Sequence, residues 1–96
     1  MIYRISPAAE RDLGDIWRYS HRTWGAAQAD RYTDGLLLRF EWLAQNRPLW
    51  RPRDDIQPGL FSCAEHSHVI FFRASREGIE IVRVLHGRMD VKRQSD

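Results

Sequence analysis

Gly78-Ile79-Glu80-Ile81-Val82-Arg83-Val84-Leu85-His86-Gly87-Arg88-Met89-Asp90 is the stretch that decides the fold. Its first part is dense in β-branched and aliphatic residues and is bracketed by Gly78 and Gly87, which predicts a strand. Strict alternation puts Ile79, Ile81 and Leu85 on one face and Val82 and Val84 on the other. A strand apolar on both faces is a central one, covered on both sides. It nevertheless carries Arg83 in mid-run and ends in His86, with a basic tail beyond.

Working upstream, Ser75-Arg76-Glu77-Gly78 reads as a turn, and His68 to Ala74 as a second strand. It too is apolar on both faces, with Val69 and Phe71 on one and Ile70 and Phe72 on the other. Residues 59–65 form a weaker strand, which completes a three-stranded antiparallel meander. Residues 47–58 hold three prolines and read as an extended loop, in which Arg51 and Arg53 face Asp54 and Asp55. Before that loop lie two amphipathic helices. Ser6-Pro7 opens the first, with Ser6 as N-cap and Pro7 at the first helical position. Its apolar stripe is Ala9, Leu13, Ile16, Trp17, Ser20 and Trp24, and Gly25 ends it. The second runs over residues 26–45, with Ala29, Tyr32, Leu36, Phe40 and Leu43 on its stripe. A break this short makes an antiparallel helical hairpin. Ile2-Tyr3-Arg4-Ile5 is a short N-terminal strand. The expected class is therefore α+β: a strand, a helical hairpin, then the meander, as one domain over residues 1–96.

Composition narrows the function. Among 96 residues the net charge is only +2, weak for a dedicated nucleic-acid binder, and no specific nucleic-acid binding is expected from this chain alone. Cys63 is the single cysteine, so neither a disulfide nor a cysteine-rich metal site is expected. His66 and His68 flank a turn without enough further ligands for a metal, and no cofactor is expected. No apolar run approaches membrane-spanning length and no leader precedes the first strand, so no membrane partner is expected and the location is read as cytoplasmic. One hairpin covers one face of a small sheet, and no second helix pair exists for the other. The other face is therefore expected to be bare and to receive a partner segment.

Taken together, His68-Val69-Ile70-Phe71-Phe72-Arg73 and the stretch from Gly78 to Asp90 resemble the closing signature of ParE-type toxins in the RelE/ParE superfamily. Tyr3-Arg4-Ile5-Ser6-Pro7-Ala8-Ala9, Asp12-Leu13, Arg53-Asp54-Asp55-Ile56 and Pro58-Gly59-Leu60 extend the resemblance over nearly the whole chain. It implies the toxin of a type II toxin–antitoxin pair that inhibits DNA gyrase by binding and is neutralised by a ParD-like antitoxin.

On this reading the antitoxin-binding candidates are Trp42, Trp50, Ile70, Phe72, Arg73 and Arg83, with the tail residues Arg88, Met89, Asp90, Val91, Lys92 and Arg93 meeting the target. Trp17 and Trp24 are expected in the core. The sister branch of RelE-like toxins cleaves messenger RNA on the ribosome, which needs phosphate clamps and an acid. Arg51, Arg53, Arg73, Arg83 and His86 are the only set here that resembles one. No Lys lies in the loop or sheet and no Tyr follows Tyr32, so a non-enzymatic toxin is expected, with ribosome-dependent cleavage as the alternative. A third reading is a non-toxic protein retained to bind or regulate an antitoxin.

Overall fold

The computed structural model describes residues 2–87. The expected tail contacts at Arg88, Met89, Asp90, Val91, Lys92 and Arg93 lie outside the described residues. The elements run β1 (Ile2–Ile5), α1 (Pro7–Trp24), α2 (Ala26–Gln45), a 3-10 turn at Arg47–Leu49, β2 (Arg51–Pro52), β3 (Phe61–Glu65), β4 (His68–Ala74) and β5 (Gly78–His86). Helix α1 starts where its sequence says it must. The Ser6 hydroxyl accepts from the Ala9 amide at 3.0 Å and donates to the Val82 carbonyl at 2.9 Å, so one side chain caps the helix and ties it to the sheet. Gly25, at φ 93 and ψ 172, makes the reversal into α2 in backbone territory that only glycine enters cheaply.

The sheet order is β1-β5-β4-β3-β2. The meander is antiparallel, while β1 lies parallel to β5, so the longest strand is central. Gly78 belongs to this parallel contact. A Cβ there would sit 1.8 Å from the Ile2 carbonyl oxygen, inside any permitted contact with backbone. Gly78→Ala is expected to peel β1 from β5, at a cost of about 1–3 kcal/mol. Hydrogen exchange checks this: the Ser6 amide, bonded to the Ile81 carbonyl at 3.0 Å, loses its protection. Unchanged protection would show that the sheet absorbs the methyl group.

The face assignment is where strict alternation fails. Phe71 pairs with Arg83 but Phe72 pairs with Ile81, leaving Val82 as an extra residue in β5. This β-bulge shifts the phase of the strand. Ile79, Ile81 and Val84 consequently share the core under the hairpin, with Ile70, Phe72, Leu36, Phe40 and Leu43. Leu85 changes sides and joins Phe71, Val69 and Val82 on the opposite face.

That opposite face is not bare. The loop after β2 curls over it instead of running extended. The Arg53 amide donates to the Leu60 carbonyl at 2.7 Å, and the Ile56 and Gln57 amides both donate to the Arg53 carbonyl at 3.0 Å. The closed loop sets Leu60 and Ile56 on Phe71 and Leu85, which are left 4% and 3% exposed. Prolines fix φ at their own positions only, and Gly59, at φ 80, provides a turn directly after Pro58. The chain thus supplies much of the cover that was expected from a partner.

A candidate partner groove and the placement of the expected site residues

Three of the expected antitoxin contacts belong to the core. Ile70 and Phe72 are fully buried beneath the hairpin, on the face opposite the loop. Trp50 is buried as well, because it closes the end of α2: its indole N–H donates to the Leu43 carbonyl at 2.6 Å, meeting an acceptor in the helix's last turn. Its ring lies edge-on to Phe72 at 5.1 Å and is covered by the Arg47 guanidinium at 4.7 Å. Trp24, expected in the core, is instead 61% exposed, because it is the last residue of α1, with Gly25 directly after it. Trp17 is half-buried and donates to Asp30 at 2.9 Å.

The two arginines of the meander do not face a partner together. Arg83 is drawn to α1, where Asp12 receives its Nε at 2.8 Å and its Nη2 at 2.9 Å. Asp12 Oδ2 also accepts the Val84 amide at 2.9 Å, so one carboxylate serves a side chain and the bulged backbone. The Asp12 hydrogen bond raises the guanidinium's already high pKa. Arg73 lies opposite Glu80 in the ladder and donates to Gln57 of the covering loop. These partners lie 71 and 72 residues from Asp12 along the chain and come from the fold.

Of the five residues that resemble a nuclease set, Arg51 and Arg53 border one groove, while Arg73, Arg83 and His86 are held in other contacts. Arg53 makes a two-pronged pair with Asp55, both bonds 3.1 Å, beside Ser62 and over Phe71. Arg73 meets the covering loop, Arg83 is clamped by Asp12, and Arg51 is exposed on β2. His86, exposed at the end of β5, lies opposite His68 with ring centroids 5.5 Å apart.

One surface does gather expected residues. Strand β2 pairs with Phe61 and Ser62, so among the described residues the outer edge of Cys63, Ala64 and Glu65 has no strand neighbour. An open edge of this kind offers unpaired N–H and C=O groups to an incoming chain. Beside it is a groove of about 330 Å³ whose walls include Arg39, Trp42, Leu49, Arg51, Arg53 and Cys63. Trp42 and Leu49 are 38% and 64% exposed, large apolar groups on an otherwise charged rim. Arg39 lies 4.8 Å from the Trp42 ring centre and donates to Glu65 at 3.0 Å, which fixes both the ring and the edge. Burial pushes the Cys63 thiol up, so it packs as a small apolar group and not as a nucleophile. Among the described residues no three His, Cys, Asp or Glu side chains are grouped to hold a metal. No described helix is long and apolar enough to cross a membrane.

A strand, a helical hairpin and a meander, with an open stretch of sheet edge beside a basic, aromatic groove, define a RelE/ParE-like toxin domain. Comparisons with known proteins agree. The family described as ParE toxin of type II toxin-antitoxin system, parDE, matches residues 3–91. The chain belongs to this family. Toxin ParE1 of Caulobacter vibrioides is 39% identical over 90 residues, covering 94% of this chain and 93% of that protein. Toxin ParE1 of Mycobacterium tuberculosis is 41% identical over 92 residues, covering 95% and 94%. Among solved structures, a chain of the chromosomal ParDE toxin–antitoxin system from P. aeruginosa superposes with a TM-score of 0.77 at 19% identity, covering 90% of this chain and 95% of that one.

Proposed function

We propose that this toxin arrests growth by binding DNA gyrase, without catalysing a reaction, and that a ParD-like antitoxin neutralises it at the groove beside β3. The carrying observation is the open edge at Cys63, Ala64 and Glu65 with Trp42 and Arg51 on its rim. Backbone groups on that edge suit an added strand, Trp42 suits an apolar anchor, and Arg51 suits an acidic side chain. Family membership and full-length similarity to ParE toxins support the gyrase target. The commitment of Arg83 to Asp12 and of Arg73 to the covering loop supports a binder over a nuclease.

Expression of the chain with and without its neighbouring antitoxin gene tests the reading. Filamentation and a DNA-damage response, relieved by the antitoxin, are the expected result. Rapid arrest of translation with cleaved messages would replace it with the RelE-type endoribonuclease, and absence of toxicity with a regulatory antitoxin binder. Trp42→Ala is expected to weaken antitoxin binding by about 2 kcal/mol, roughly thirtyfold in Kd, while leaving the unfolding midpoint nearly unchanged. Unaltered affinity in a Trp42→Ala, Arg51→Glu double variant would remove the groove from the interface.

A further inference from the structure

A second cleft, of about 460 Å³, opens at the other end of the hairpin between apolar walls that include Ile16 and Trp24, and its polar side is Tyr32, His68 and His86. Tyr32 comes from α2, and its hydroxyl is 2.6 Å from His68 Nδ1. His68 opens β4, and His86, directly across the ladder, closes β5 with its ring edge-on at 5.5 Å. A helix and two strands thus meet through three titratable side chains at a rim of the sheet. We propose that this cluster is a proton-operated latch, fastening the first half of α2 to the β4–β5 end at neutral pH and releasing it when His68 is protonated.

The chemistry follows from the geometry. Burial raises the Tyr32 hydroxyl's pKa, so it stays protonated and donates to Nδ1. Burial lowers the His68 pKa first, and the neighbouring His86 lowers it further. The neutral ring accepts at Nδ1 and carries its own proton on Nε2. A proton added at Nδ1 makes the ring a donor there, so the Tyr32 hydroxyl must turn round to accept, and it places a charge at a half-buried wall. The surrounding groups do little to welcome that charge. From α1, Asp12 favours it, but that carboxylate is clamped by Arg83, and Asp15 is paired with Arg18. From β3, Glu65 is paired with Arg39, and His66 in the following turn is exposed beside Tyr32. Because the folded value lies below the ordinary 6.5, the latch contributes fully above about pH 6.5. Its contribution is lost as pH falls through the folded value.

The test is a titration of the full chain by imidazole NMR, with amide hydrogen exchange of residues 30–36 corrected for intrinsic rates. His68 is expected to titrate below the ordinary 6.5. Exchange in that part of α2 should rise by up to about tenfold per pH unit between about pH 6.5 and the His68 midpoint, and level off below it. His86→Asn, at an exposed position, should raise the His68 midpoint and move the opening with it. Tyr32→Phe should leave the same amides fast at every pH. A His68 midpoint at or above about 6.5 overturns the latch. So does an α2 opening that stays at one pH while the His68 midpoint moves.

Discussion

Asp12→Ala unfolds at a far lower temperature or urea concentration than the parent chain, with a loss of about 3–5 kcal/mol. The side chains of Asp12 and Arg83 are only 12% and 21% exposed, and the carboxylate answers three donors at once. Removing it leaves a guanidinium and the Val84 amide without that acceptor in a region that water reaches poorly. About 1 kcal/mol moves the midpoint of a domain this small by roughly 4–8 °C, so the shift is easily read by circular dichroism. The paired replacement Asp12→Leu, Arg83→Met should recover much of the loss, because a buried ion pair is costly to break and far less costly to replace. A single variant within about 1 kcal/mol of the parent would show that the pair contributes little.

Phe72→Ala is the second large effect, at about 3–5 kcal/mol. Phe72 is fully buried, with Trp50 edge-on at 5.1 Å and Phe61 stacked at 5.8 Å. The cavity would open at the junction of α2, the 3-10 turn and the sheet, where several backbone segments meet and none can collapse freely. Urea denaturation of the isolated chain checks it. If Phe72 instead belonged to a partner-facing surface, the isolated chain would hardly change, since surface truncations usually stay within about 0.5 kcal/mol. Trp42→Ala serves as that surface control in the same experiment. The pair of variants therefore separates core from surface by stability alone.

Local chemistry made the elements legible. Ser6-Pro7 starts α1, Gly25 separates the helices, and Gly78 and Gly87 bracket β5, all from side-chain and backbone preferences that act within a few residues. The closing signature also made the family legible, since it joins nearly the whole chain to ParE toxins. Of the candidate site, Trp42, Arg51 and Arg53 were found beside one groove. Ile70, Phe72 and Trp50 went to the core, and Arg83 to Asp12, for reasons that lie 7 to 71 residues away along the chain.

The sequence by itself determined where the two long helices and four of the five strands lie, the class of the fold and the lineage of the chain, whereas β2 and the 3-10 turn fell inside a stretch read as loop. The tertiary structure decided which face each apolar residue occupies. One extra residue at Val82 reverses the alternation of β5, and a loop closed by the Arg53 and Leu60 backbones covers the face that alternation left open. A bulge is a property of two strands in register and a covering loop is a property of what it covers, so neither is written in any single segment.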